Sequence, residues 1–167
     1  MLNIVLVEPE IPANTGNIAR SCLATGARLH LVKPLGFSID DRQLKRAGLD
    51  YWREVDVTTW DSLDALFASL GESDGIIKKT RAFFLTTKCR RPYYEQHFEP
   101  GDWLFFGRET KGLPEPLLAA NPERLLTIPM TNKTRSLNLA VSVGIVLFEA
   151  MRQIRLGQKS TATDEHG

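Results

Sequence analysis

Leu2-Asn3-Ile4-Val5-Leu6-Val7, closed by Glu8-Pro9, and Leu29-His30-Leu31-Val32, closed by Pro34, frame the stretch that decides the fold. Each is a short, mostly apolar run bounded by breakers, which is how a buried strand reads. Between them the loop Glu10-Ile11-Pro12-Ala13 leads into Asn14-Thr15-Gly16-Asn17. Asn and Thr are natural helix caps; Ile18, Cys22 and Leu23 follow at helical spacing, and Gly26 is the stop. Strand, helix, strand is a β-α-β unit, and that unit calls for a parallel sheet.

Outward from this unit the alternation continues. Residues 40–47 read as a helix ending at Gly48, with acids first and bases last to match the macrodipole. A strand is expected at 55–59. A helix at 61–70 follows, with Leu63, Leu66, Phe67 and Leu70 on one face, Asp61 as cap and Gly71 as stop. Further strands are expected at 82–86, 103–106 and 125–130, with a short helix at 114–120. Ser136 caps a long last helix running to about Arg155. From Gly157 onward the chain is polar and reads as a disordered tail. The expectation is one α/β domain over 1–156, with a six-stranded, mostly parallel sheet flanked by helices, and a tail at 157–167. Periodicity does not set the strand order.

Composition narrows the class. The chain has 167 residues, 43% of them hydrophobic and 25% charged, so a fibrous or wholly disordered protein is excluded. Lys and Arg total 21 and Asp and Glu total 20, so net charge does not advertise nucleic acid, membrane or acidic partners. Basic residues do cluster locally. Lys78, Lys79, Arg81, Lys88, Arg90 and Arg91 occur with no acid among them, and Phe83, Phe84, Tyr93 and Tyr94 interleave. Such a stripe fits either a solvated face or a phosphate backbone. Cys22 and Cys89 form neither a disulfide framework nor a metal motif, and read as free thiols of a reducing cytosol. The start lacks a basic signal region, and the apolar stretch 137–151, interrupted by Asn138, Ser142 and Glu149, falls short of the ~20 residues a bilayer span needs. A soluble, cytoplasmic protein with no membrane partner is expected. His30, His97 and His166 join no catalytic or metal constellation, so no metal is expected and any chemistry rests on positioning.

Ligands of open α/β sheets bind beyond the carboxyl ends of the strands. Three loops there are unusual. The first carries Asn14 and Arg20, a donor–acceptor amide and a fork suited to phosphate. The second is Gly107-Arg108-Glu109-Thr110-Lys111-Gly112-Leu113, where two glycines bracket a charged loop and Glu109 could fix it. It is neither a Walker loop nor a dinucleotide loop. The third runs from Ile128-Pro129-Met130 to Ser136 and Asn138 at a helix start. Taken singly, a capped helix with a surface arginine, a tight turn and an ordinary N-cap explain them equally well.

Together, in this order and spacing, Asn14-Thr15-Gly16-Asn17-Ile18-Ala19-Arg20, Phe106-Gly107-Arg108-Glu109-Thr110-Lys111-Gly112-Leu113, and Ile128-Pro129-Met130 with Arg135-Ser136-Leu137-Asn138-Leu139-Ala140-Val141-Ser142 resemble the three motifs of the SPOUT class of RNA methyltransferases, in its SpoU (TrmH-like) branch. The opening Leu2-Asn3-Ile4-Val5-Leu6-Val7-Glu8-Pro9-Glu10-Ile11-Pro12 and Arg46-Ala47-Gly48-Leu49-Asp50-Tyr51-Trp52 are similar to the TrmL subgroup, small tRNA 2′-O-methyltransferases of the wobble nucleotide.

The resemblance implies a carboxyl-terminal trefoil knot, a homodimer, and S-adenosylmethionine as cofactor with S-adenosylhomocysteine as product. It implies cofactor contacts from Leu85, Thr86, Gly107, Ile128 and Ser136, with Met130, Leu137 and Asn138 lining the same pocket and Glu109 bracing its loop. Arg20 and Asn14 match the catalytic positions, and the partner is the tRNA anticodon stem-loop, with cytidine or a modified uridine as target. Trp52, Phe148 and the basic insert 71–81 depart from the best-known members. The alternatives are the same transfer to another tRNA or rRNA nucleotide, or an RNA- or nucleotide-binding module without catalysis. A nicotinamide-dependent oxidoreductase lacks its phosphate fingerprint here.

Overall fold

A strand with no polar face must be covered on both sides, and this requirement sorts the strands. β1 (Asn3–Val7) is buried at all five positions. β2 (Arg28–Val32), β3 (Val57–Trp60), β4 (Ala82–Leu85), β5 (Trp103–Phe106) and β6 (Leu125–Leu126) complete one sheet of order β3-β2-β1-β5-β4-β6. Every pairing is parallel, and Val5 lies opposite both His30 and Phe105. The structure is a computed structural model and describes residues 1–48 and 51–164. Leu49 and Asp50 of the subgroup-like stretch, and residues 165–167 with His166, lie outside the described residues.

Alternate strand residues face two layers of helices. On one side Ile4, Leu6, Leu29, Leu31, Leu104 and Phe106 pack with Ile18 and Cys22 of α1 (Pro12–Thr25) and with Val143 and Leu147 of α5 (Leu139–Asp164). On the other, Val5, Val7, Val32, Phe84 and Phe105 meet Leu66 and Phe67 of α3 (Leu63–Ser69) and Leu117 and Leu118 of α4 (Glu115–Ala120). The short α2 (Arg42–Gly48) packs on α1, and the Asp41 carboxylate caps it by accepting from the Gln43 and Leu44 amides. Among the described residues no helix is long and apolar enough to cross a membrane.

Several element ends differ from the expected ones. α1 begins at Pro12, not at an Asn14 cap, because proline is pre-set for the first helical turn. Asn14 is thereby released from capping. The α3 cap is Ser62, whose hydroxyl accepts from the Ala65 amide at 3.0 Å, rather than Asp61. β6 stops at Leu126. Thr127 pairs instead with the segment at Pro92, and Pro129 has no amide to continue the ladder. α5 is capped by Asn138 rather than Ser136: its Oδ1 accepts from the Val141 amide at 3.2 Å. The helix passes Arg155 and takes in residues 157–164, in place of the disordered tail expected there.

Candidate functional site

β1 and β5 are neighbours, so the loops that leave their carboxyl ends lie side by side. Three carboxylates stitch these loops together. Glu8 Oε2 accepts from Arg108 Nε at 3.0 Å and Nη2 at 2.6 Å. Glu10 Oε1 accepts from the Thr110 hydroxyl at 2.6 Å and its amide at 3.2 Å. Glu109 returns the contact, accepting from the Glu10 amide at 2.8 Å, the Ile11 amide at 3.0 Å and Asn14 Nδ2 at 3.3 Å. The Thr110 hydroxyl and amide hold the Glu10 carboxyl below its ordinary pKa, and the Glu8 hydrogen bond raises that of Arg108. Glu8 itself sits in the left-handed region, φ 53°, where a side chain is rarely placed. The ion pair helps hold that turn.

The loop after β5 is folded hard back on itself, with Arg108 and Gly112 exchanging backbone hydrogen bonds of 3.2 and 2.9 Å. A Cβ on Gly107 would collide with the carbonyl carbon of Gly112 and the amide nitrogen of Leu113. Gly112, at φ 68°, makes the turn. Beside the loop lies a cavity of about 590 Å³ at the carboxyl ends of β4, β5 and β6. Leu85 and Thr86 line it from β4, Gly107 and Glu109 from the loop, Ile128 and Met130 from beyond β6, and Ser136 and Leu137 from the approach to α5. The same wall includes Lys88, named from the sequence only as part of the basic run, and Arg108, Arg135 and Ser142, which the motif stretches contain without a role assigned to them. Lys88 is ion-paired to Glu115 of α4. Early shortening of β6 is what frees 127–130 to face this space.

Asn138 is placed differently from the other candidate cofactor residues. It is not in the cavity wall; its Nδ2 donates to Asn14 Oδ1 at 2.9 Å. Asn14 is buried and donates in turn to Glu109, so Glu109, Asn14 and Asn138 form one chain of hydrogen bonds from three distant segments. Arg20 is exposed on α1, outside the cavity wall, with its guanidinium 5.3 Å from the centre of the Tyr51 ring. Glu8, Glu10, Arg108 and Thr110 join the two loops of the candidate site, and no role was assigned to them from the sequence. The only hint was the pairing of an acidic loop, Glu8-Pro9-Glu10, with a loop rich in donors.

The arrangement suits a ligand with apolar and polar parts. Leu85, Ile128, Met130 and Leu139 offer apolar contact, and the glycine turn lets the ligand approach backbone. Asn14, bonded to the cavity residue Glu109, and Arg20, six residues on along the same helix, have the chemistry to hold a ribose hydroxyl and a phosphate. Among the described residues no group of three or more His, Cys, Asp or Glu could hold a metal ion.

The chain is similar to several known proteins. A tRNA (cytidine(34)-2′-O)-methyltransferase of Burkholderia pseudomallei is 46% identical over 154 residues, covering 92% of this chain and 96% of that protein. A solved structure concerned with 2-OH methylation of C/U34 on tRNA is 46% identical, with a TM-score of 0.83 over 92% of this chain and 95% of its own. An AdoMet-bound rRNA methyltransferase from Sinorhizobium meliloti, 25% identical, has a TM-score of 0.76 over 90% of this chain and 56% of that one. The SpoU rRNA Methylase family model matches residues 1–148, taking in all three motif loops, and the chain therefore belongs to that family.

Proposed function

We propose that the protein transfers a methyl group from S-adenosylmethionine to the ribose 2′-hydroxyl of the wobble nucleotide of tRNA. The observation that carries this is the Glu109–Asn14–Asn138 chain, which fixes a donor–acceptor amide beside a glycine-walled cavity. The names borne by the Burkholderia relative and the C/U34 structure support the choice of tRNA and of nucleotide.

The cavity volume, the glycine cradle at 107 and the mixed lining fit S-adenosylmethionine, held by Leu85, Thr86, Gly107, Ile128, Met130, Ser136 and Leu137. Glu109 and Asn138 act one step back, by fixing loop and helix. When bound, this cofactor supplies an electrophilic methyl group on a sulfonium with a good leaving group. What the chain must add is alignment. Asn14, held at both ends, orients the ribose. Arg20 serves as a clamp on phosphate and on the developing oxyanion, since arginine is a fixed cation in proteins. The 2′-proton passes to a phosphate of the target.

In this reading residues 1–156 are the catalytic domain. The segment 127–138 runs from β6 to dock Asn138 beside Asn14, which supports a trefoil knot there. The enzyme acts as a homodimer in the cytoplasm. Val141, Phe148 and Leu156 stand 51–53% exposed at spacings of seven and eight along α5, an apolar stripe suited to a second copy.

The test uses methyl-labelled S-adenosylmethionine and tRNA from a strain lacking this activity. Label is expected on the wobble ribose, and Arg20→Lys is expected to lower transfer by about 10²-fold, as loss of an oxyanion donor does. Label at another tRNA or rRNA nucleotide would move the substrate and keep the chemistry. Saturable cofactor binding without transfer to any RNA would overturn the reading.

A further inference from the structure

At the amino ends of β4 and β6, opposite the cofactor cavity, lies a second depression of about 360 Å³. Lys79, Arg81, Arg91, Gln96, Glu123 and Arg124 line it. The basic run noted in the sequence supplies three of these six. Arg81 is satisfied by the fully buried carboxylate of Asp102, at 2.7 and 3.2 Å. The other cations are not neutralised. Arg124 Nη1 donates to the carbonyls of Thr80 at 3.1 Å and Ala82 at 3.4 Å. Arg91 donates to the Gln96 side-chain oxygen and to the Glu123 carbonyl. Among the described residues no carboxylate lies within ion-pair distance of Lys79, Arg91 or Arg124, and Glu123 is the one acidic side chain in the lining. Carbonyl contacts fix the guanidinium planes and leave their charge unspent. Pre-positioned forks of this kind bind phosphate with little ordering cost.

Geometry links this depression to the reaction. Arg81 leads into β4 and Thr86 leaves it for the cofactor cavity. Five steps of strand rise separate the two, roughly 17 Å at ~3.3 Å per residue. A polyanion crossing this edge of the sheet reaches both. We propose that Lys79, Arg91 and Arg124 form a subsite for the phosphate backbone of the RNA substrate, away from the reacting nucleotide. Glu123 moderates its affinity. This rests on the reading of the protein as an RNA methyltransferase.

Lys79→Gln and Glu123→Gln test it. Both side chains are exposed, and neither makes a side-chain hydrogen bond or ion pair, so folding is not at stake. Binding of a tRNA is measured directly against salt for the full-length wild type and both variants. Lys79→Gln is expected to flatten the log–log salt slope by about 0.7–0.9, so that between 50 and 200 mM salt the wild type loses about threefold more affinity than the variant. Glu123→Gln is expected to bind more tightly than wild type. S-adenosylmethionine affinity and kcat at saturating RNA stay unchanged in both, and KM for RNA carries the effect. Equal slopes and affinities in all three proteins would overturn the subsite. So would inorganic phosphate, at constant ionic strength, binding with this Lys79 and Glu123 dependence while RNA affinity stays indifferent; the pocket would then serve a small free anion. Methyl transfer by the wild type, read in parallel, reports separately on the enzymatic reading, because the slopes are taken from binding alone.

Discussion

Asn138 Nδ2 donates to Asn14 Oδ1 at 2.9 Å, joining two positions 124 residues apart in the chain. The same Asn138 caps α5 through its Oδ1. The two roles separate in Asn138→Asp, which keeps an oxygen for the Val141 amide and replaces the donor facing Asn14 by an acceptor. Methyl transfer is expected to fall at least about tenfold, the equivalent of ~1.4 kcal/mol, with Tm lowered by a few degrees because the buried Asn14 oxygen loses its donor. Asn138→Ala loses the cap as well and is expected to lose about 1 kcal/mol of stability beyond that. Thermal melts beside kcat/KM check this; normal transfer by Asn138→Asp would reduce Asn138 to a cap.

Gly107→Ala places a methyl group against the Gly112 and Leu113 backbone, which cannot step aside as a side chain can. The turn must open, and the cavity wall opens with it. Cofactor affinity is expected to drop more than tenfold, a cost above about 1.4 kcal/mol. Calorimetric titration with S-adenosylhomocysteine reads it. Gly157→Ala, where a Cβ meets nothing, is the control and should bind as wild type does.

Acid is expected to weaken the fold in two windows. Burial pushes the His30 imidazole down to about 4. The neutral ring is matched to its surroundings, taking a hydrogen bond from Trp60 Nε1 at 3.2 Å on Nδ1 and meeting Asn3 Oδ1 at 3.1 Å through Nε2. The unfolded chain therefore binds this proton first. Its contribution is full above about pH 6.5 and is lost as pH falls toward 4, on the order of 3 kcal/mol in all. For Glu72, burial raises the pKa, but the amides of Lys78, Thr80 and Lys79 more than offset it and hold the carboxyl at about 2. Its contribution is full above about 4.5 and is lost as pH falls from there toward 2. Denaturant midpoints against pH should show His30→Gln removing the upper step and Glu72→Gln the lower.

Tyr51 stands under the Arg20 guanidinium, a contact worth about 0.5–1 kcal/mol at an exposed site. Tyr51→Phe keeps the ring and should transfer methyl groups as wild type does. Tyr51→Ala frees Arg20 and should lower kcat/KM about two- to fivefold without moving cofactor affinity. Equal rates for the two variants would show that the ring does not position Arg20.

Phe148→Asp puts a charge in the middle of the exposed α5 stripe. The variant is expected to sediment as a monomer and to lose transfer, while its far-UV spectrum stays native. A wild type that sediments as a monomer at working concentration would remove the dimer from the reading.

Much of the fold was legible because local signals and global placement coincide. β5 matches its expected bounds, and β1 differs by one residue, since its apolar run ends at breakers. Caps were less legible. Asn14 and Ser136 are good capping residues, but α1 starts at Pro12 behind Ile11 with no side-chain cap, and Asn138 caps α5; whether a side chain caps depends on what else it touches. Strand order lies beyond periodicity altogether. That loss hid the Glu8–Arg108 and Glu10–Thr110 stitches, whose partners become neighbours only once β1 lies beside β5. The cavity residues from Leu85 to Leu137 were named from the motif resemblance, and no local property of Ile128 or Met130 marks them as facing a ligand.

The bond from Asn138 to Asn14 also sets an order of events during synthesis. At about 5–20 residues per second, the ribosome needs roughly 6–25 s to go from one asparagine to the other. Through that interval Asn14 waits on the nascent chain without its partner, and the glycine loop at 107–112 is made only in the last part of it. A translation product that stops short of Asn138 lacks this bond and the whole of α5, so methyl transfer is expected only from chains that extend through both.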